Sequence, residues 1–248
     1  MSSRPSMSSA DLTAPPALSD LDAAALFLDF DGTLVEIADN PDGIVVPDRL
    51  AFRLAELADR LSGRLAVISG RSLGDLETHL GRLPTAAAGS HGGEMKLPGG
   101  EVVRNGSCPS SVRSAAGRFV DQTGGLLLES KPLGLAIHYR QAPEREVEVI
   151  GFVERMAEEF GLKAKRGKMV AELIAHDTDK GEAVAKFMAE PAFAGSRPIF
   201  IGDDVTDEDG FLAAASGGGF GILVGEPRET AARYLLPDTP SVYAWLGL

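Results

Sequence analysis

Ala25-Leu26-Phe27-Leu28-Asp29-Phe30-Asp31-Gly32-Thr33 is the stretch that decides the fold. Its apolar start, closed by a glycine, reads as a fully buried strand of a parallel sheet. The residues after it place two carboxylates, a flexible glycine and a hydroxyl where such a strand emerges into solvent. In open α/β sheets, ligand chemistry collects just outside the carboxyl ends of the strands. A carboxylate pair there can supply a nucleophile and an acid/base, provided a metal offsets the charge. A loop whose aspartates merely cap the next element would look the same, so the reading depends on partners elsewhere in the chain.

Working outward, apolar strands alternate with amphipathic helices. Ala25–Phe30 is followed by a helix in Pro47–Leu61, with Leu50, Leu54, Leu57 and Leu61 on one face. A strand at Arg64–Ile68 ends in Ser69-Gly70-Arg71 and leads to a helix near Ser72–Leu80. A short strand at Thr85–Ala88 runs into Gly89-Ser90-His91-Gly92-Gly93-Glu94, and Arg197–Ile201 leads into Gly202-Asp203-Asp204. These are the parallel strands of a doubly wound, Rossmann-like α/β core. The middle of the chain has another rhythm. A helix at Pro109–Gln122, strands at Leu126–Ser130 and Leu135–Arg140, a helix at Glu144–Phe160 and strands at Leu162–Arg166 and Lys168–Ile174 follow in turn. This αββαββ order predicts an α+β cap inserted at 105–174 into a core of 21–104 and 175–248. Residues 1–20, rich in Ser, Pro and Ala, read as a disordered tail and not a signal peptide.

Composition narrows the function. No segment approaches the roughly 18–20 apolar residues that span a bilayer. The single cysteine, Cys108, permits no internal disulfide or cysteine metal cluster, so a cytoplasmic location is expected. A net charge of −12 argues against a nucleic-acid partner. The charge is uneven: residues 105–175 carry 10 Lys/Arg against 9 Asp/Glu, the rest 14 against 27. An acidic body with a locally basic insert suits a metal-dependent site roofed by something that grips a polar or anionic ligand. A monomer is expected.

Three predicted core strands end in functional groups: Asp29/Asp31, Ser69 and Asp203/Asp204. In a parallel sheet these ends share one rim and can meet. Lys180 is the fourth group, placed where a helix should begin, a position that opposes the helix dipole by a few tenths of a kcal/mol. The misplacement makes sense if the ammonium faces carboxylates and phosphate. Together these residues suit phosphoryl transfer. Asp29 would attack phosphorus, and Asp31 would protonate the leaving alcohol and then deprotonate water. Ser69 and Lys180 would hold the phosphoryl oxygens. Mg²⁺ fits the hard oxygen donors, with Asp29, the Asp31 carbonyl and Asp203 as candidate ligands. A phosphoaspartate signalling module remains an alternative, because it combines a similar acidic cluster, hydroxyl and lysine.

The four groups in order resemble the motifs of the haloacid-dehalogenase superfamily of phosphatases, over the whole chain after the tail. The resemblance implies an aspartyl-phosphate mechanism and supports Asp203 as a direct metal ligand, with Asp204 and Asp207 beside it in direct or outer roles. Within the superfamily, Glu129-Ser130-Lys131, Leu135–Arg140, Gly167–Glu172, Ser69-Gly70-Arg71, Gly89–Gly92 with Glu94, and Gly202–Glu208 resemble the trehalose-6-phosphate phosphatases. The implied substrate is trehalose 6-phosphate, with another sugar phosphate of the sucrose or mannosylglycerate type as the alternative.

Strand alternation gives the insert one polar face. Glu129 and Lys131, His138 and Arg140, and Lys168 and Glu172 are expected to share faces, opposite Leu126/Leu128, Leu135/Ile137/Tyr139 and Met169/Ala171/Leu173. Ionisable groups so placed offer donors and acceptors for sugar hydroxyls, and a lid over the core is the economical use for such a face. By the resemblance, Glu129, Lys131 and Glu172 bind the sugar, and His138, Arg140 and Lys168 are further candidates.

Overall fold

The computed structural model describes residues 12–38, 43–81, 83, 86–167, 169–175 and 178–248. In chain order the first elements are β1 (Ala24–Leu28), α1 (Leu50–Arg60), β2 (Leu65–Ile68), α2 (Leu73–Leu80), β3 (Ala86–Gly89), β4 (Glu94–Lys96) and β5 (Val102–Arg104). Next come α3 (Ser110–Thr123), β6 (Leu127–Lys131), β7 (Gly134–His138), α4 (Glu146–Phe160), β8 (Lys163–Gly167) and β9 (Val170–Ile174). The chain closes with α5 (Lys180–Ala189), β10 (Arg197–Gly202), α6 (Glu208–Ser216), β11 (Phe220–Val224), β12 (Tyr234–Leu236) and α7 (Thr239–Leu246). It divides into two compact units, Met1–Val103 with Thr178–Leu248, and Arg104–Asp177.

The first unit is built on a sheet of order β12-β11-β10-β1-β2-β3-β4-β5. From β12 to β3 every neighbouring pair is parallel, and β4 is antiparallel to β3. Both sheet faces are covered, so β1 is apolar throughout rather than alternating. Leu26 and Leu28 point into a cluster with Leu54 of α1, Leu76 of α2 and Val242 of α7. Ala25 and Phe27 point the other way, against Val184 and Phe187 of α5 and Phe211 of α6. This is a doubly wound sheet. The chain leaves β1 toward β2 and β3, then returns through β10 on the other side, so the strand order reverses between β1 and β10. That switch point is where such sheets open a crevice for ligand.

The tail expectation needs correction for residues 12–20. Thr13 forms a parallel bridge with Tyr234, and the Trp245 indole donates to the Pro16 carbonyl at 2.8 Å. Leu12 and Leu18 pack against the two clusters. Two leucines within a Ser/Pro/Ala-rich stretch were sufficient because the β12 edge offered backbone partners and α7 offered Trp245. Residues 1–11 lie outside the described part.

The second unit is an antiparallel sheet of order β6-β7-β9-β8. Leu135, Ile137, Tyr139, Ala171 and Leu173 share a cluster with Val112 and Ala116 of α3 and with Val149 and Val153 of α4, joined by Leu126, Leu128 and Met169. The apolar face thus falls where strand alternation placed it. Among the described residues, no helix is long and apolar enough to cross a membrane.

Candidate active site

Asp29 is the first residue beyond β1, and its N–H donates to the Ile201 carbonyl of β10 at 2.9 Å. The carboxylate therefore stands at the switch point, and it is almost completely buried. Lys180 is the first residue of α5, whose N-cap is Asp179 accepting from Glu182 N–H at 2.8 Å. Its Nζ donates to Asp29 Oδ1 at 2.7 Å and to Asp207 Oδ1 at 2.6 Å. The Lys180 side chain is 3% exposed and its two partners 6% and 0%. A cation tolerated at the wrong end of a helix dipole has found two carboxylates at a buried position. Burial would lower the Lys180 pKa, yet the charges of Asp29 and Asp207 more than offset it and the pKa is raised. Burial pushes Asp29 well above the usual carboxylate range, against the pull of Lys180.

Asp203, just beyond β10, completes the cluster. Asp29, Asp203 and Asp207 each offer an oxygen within 4.8 Å of the others. Burial pushes Asp203 up to about 6, with Asp207 adding to the rise. Asp203 Oδ1 is buried with no hydrogen-bond partner, as is Thr33 Oγ1. Gly32 makes this approach possible: at φ +79° it adopts a conformation that favours glycine, and a Cβ there would lie 2.1 Å from Asp203 Oδ2. Three converging carboxylates, one with an orphaned oxygen, are a hard-oxygen donor set suited to Mg²⁺. Asp204 stands apart from this set, since its carboxylate caps the turn Val205–Asp207 in a reciprocal capping box with Asp207. Asp207, expected beside the metal site, is also the second partner of Lys180.

Asp31 is held by Arg71. The guanidinium donates from Nε to Oδ2 at 2.7 Å and from Nη2 to Oδ1 at 2.8 Å, a two-point fork. Nη1 of Arg71 reaches Asp75 Oδ2 at 2.8 Å. Hydrogen bonds to Asp31 raise the Arg71 pKa. Ser69 follows β2 as Asp29 follows β1, and its Oγ accepts from Arg71 N–H at 3.1 Å. The loop after β3 ties these pieces together. His91 N–H donates to the Ser69 carbonyl at 2.9 Å, and the Thr178 hydroxyl donates to the Ser90 carbonyl at 3.2 Å. Ser90 and His91 both adopt positive φ, 51° and 55°, which for non-glycine residues costs on the order of 1 kcal/mol each. Buried Glu94 supports that loop, accepting from Leu73 N–H and the Ser90 hydroxyl.

On the second unit, register places Glu129 opposite Ala136, which in turn lies opposite Glu172, itself opposite Lys165. Glu129, Lys131, His138, Glu172 and Lys165 share the open face of the sheet. Lys131 Nζ donates to Glu172 Oε1 at 2.5 Å, and His138 Nε2 lies 2.8 Å from Glu129 Oε2. Arg140, expected to share a face with His138, lies past the end of β7 at His138, exposed in the following turn. Lys168 lies outside the described residues.

Comparison with known proteins places this chain. The profile of trehalose-phosphatases matches residues 27–239. The chain belongs to the trehalose-phosphatase family. The trehalose-6-phosphate phosphatase of Escherichia coli K12 is 37% identical over 241 residues, covering 96% of this chain and 90% of that protein. A "probable trehalose-phosphate phosphatase" of Sinorhizobium fredii is 38% identical over 236 residues, covering 92% and 87%. A solved "trehalose-6-phosphate phosphatase related protein" superposes with a TM-score of 0.66 at 27% identity, covering 90% of this chain and 95% of that one. The fold of this trehalose-phosphatase family member is accordingly the haloacid-dehalogenase type, a doubly wound core with an inserted α+β unit.

Two groups at these sites escaped the sequence. Arg71 stood beside Ser69 in the sequence, but nothing local indicated that its fork would reach Asp31, forty residues away. Lys165 belongs to the polar face only through its register with Glu172. The strand expected at Leu162–Arg166 carried no face assignment.

Proposed function

We propose that this family member hydrolyses trehalose 6-phosphate to trehalose and phosphate through a phosphoenzyme at Asp29, the last step of trehalose biosynthesis. The observation that carries the reading is the buried Asp29–Lys180–Asp207 array, with Asp31 two residues beyond the nucleophile. Mg²⁺, held by Asp29, the Asp31 carbonyl and Asp203, would offset negative charge on the phosphoryl group and the carboxylates. An Asp29 oxygen attacks phosphorus as the ester P–O bond breaks, and Asp31 delivers a proton to the departing sugar oxygen. Asp31 then takes a proton from water, whose oxygen attacks the same phosphorus and frees the Asp29 carboxylate. Lys180 and the Ser69 hydroxyl neutralise and orient the phosphoryl oxygens, which leaves little covalent chemistry for other groups. The Arg71 fork occupies both Asp31 oxygens in this structure, so Asp31 acts as the acid once one oxygen leaves the fork to carry the proton. Glu129, Lys131 and Glu172 bind the sugar hydroxyls, with His138 beside them. The enzyme acts in the cytoplasm as a monomer.

Phosphate release from a panel of sugar phosphates, with and without Mg²⁺, tests this reading. Trehalose 6-phosphate should give the highest kcat/KM, and Asp29→Asn should lower turnover by roughly six orders of magnitude, as loss of a nucleophile does elsewhere. A better sucrose or mannosylglycerate phosphate would replace the substrate. Wild-type turnover by Asp29→Asn would remove the nucleophile, and a long-lived phosphoaspartate without sugar-phosphate turnover would favour a signalling module.

A further inference from the structure

Arg228 lies in the loop after β11 and is only 28% exposed at its side chain. Its Nη1 pairs with Glu208 Oε1, at the first residue of α6. Its Nη2 donates to the Asp204 carbonyl at 2.8 Å and, more weakly, to the Asp203 carbonyl at 3.5 Å. Glu208 is itself fixed, accepting from the Thr230 hydroxyl at 2.8 Å and from Ala231 N–H at 2.7 Å. Asp204 N–H, on the peptide that carries the Asp203 carbonyl, donates to Asp207 Oδ2 at 2.9 Å. The segment carrying Asp203 is therefore clamped from two directions. Asp207 holds its amide, and Arg228 holds its carbonyls while anchored to α6.

We propose that Arg228 is a positioning residue for the metal site: its fork fixes the Asp203–Asp204 backbone so that the Asp203 carboxylate stays within the Asp29–Asp203–Asp207 cluster. The inference rests on the metal reading of that cluster. Metal ligands must be held to within about 0.5 Å, and the strand end that carries Asp203 has left the sheet's hydrogen-bond ladder. Outer partners supply the missing restraint, and losing one typically weakens metal affinity by about 10–100-fold. A lysine would keep the charge at this position but cannot span Glu208 and two carbonyls with one nitrogen.

Mg²⁺ titration of the full chain by calorimetry, with the Mg²⁺ dependence of the thermal midpoint as a second reading, tests the proposal. Arg228→Met should raise the Mg²⁺ Kd about 10–100-fold, and raising Mg²⁺ should relieve its loss of activity. Arg228→Lys should fall between Met and wild type. Asp203→Asn separates the two readings. If it keeps wild-type Mg²⁺ affinity, the metal site itself is misassigned. If it loses Mg²⁺ while both Arg228 variants bind as wild type, the Arg228 proposal is overturned. Should Arg228→Met fail to fold, Arg228→Lys decides alone: unchanged affinity overturns the proposal, and weakened affinity supports it.

Discussion

Lys180 in the first unit and Lys131 in the second each pair with carboxylate, but the two pairs differ in kind. The Lys180 side chain is 3% exposed and bound to two carboxylates. Lys131 is 39% exposed and its partner Glu172 26%. A buried ion cluster is expensive to assemble and more expensive to break, because removing one partner strands the others without water. An exposed pair contributes about 0–1 kcal/mol and gives way readily to other hydrogen-bonding groups. The first kind suits a group that must hold charge in place. The second can exchange its partner for another donor or acceptor at little cost to the fold.

Substitution should separate them. Lys180→Met leaves Asp29 and Asp207 facing each other in a buried site. Turnover should fall by roughly 10²–10³-fold, and metal-free stability by about 3–5 kcal/mol, read by phosphate release and denaturant unfolding in chelator. Near-normal stability would mean that the cluster is wetter than its burial indicates. Glu172→Ala should change unfolding by less than about 1 kcal/mol while raising KM for trehalose 6-phosphate roughly tenfold, the loss of one or two good hydrogen bonds. An unchanged KM would take the open face out of substrate binding.

The smallest expected effect is a pH dependence confined to the first site. Burial raises Asp203 from 3.8 to about 6 and raises Asp29 as well, so the metal-free folded state retains protons that the unfolded chain releases. That stability is fully present below the unfolded value near 3.8 and is lost as pH rises through about 6. Mg²⁺ requires the ionised carboxylates, so the stabilisation it confers should grow over the same interval. Thermal midpoints with chelator and with Mg²⁺, at pH 5 and pH 7.5, check this. Mg²⁺ should raise the midpoint by a few degrees more at the higher pH, and an equal shift at both would detach these carboxylates from the metal.

Much of the core site was legible because it depends on local order. A short apolar run followed by Asp29-Phe30-Asp31-Gly32-Thr33 reads as carboxylates at a strand end once Ser69, Lys180 and Asp203 supply partners, and a lysine opening α5 against the helix dipole called for an anion. Asp207 was harder: it lies four residues past Asp203, and only the turn at Val205–Asp207 swings it back toward Lys180. Arg140 was read as strand, whereas β7 ends at His138 and Arg140 lies in the turn after it. Residues 12–20 were read by composition, which is blind to a sheet edge that needs pairing.

By itself the sequence determined the strand ends, the polar residues each carries and the face of the inserted sheet that packs on helices, because hydrophobic period and residue type act over a few neighbours. Only the tertiary structure decided which groups meet. Arg71 reaches Asp31, Arg228 reaches the carbonyls of Asp203 and Asp204, and Lys180 divides its protons between Asp29 and Asp207. Those partnerships join residues up to 151 positions apart. Their physical basis is strand order in a doubly wound sheet, which no local pattern encodes.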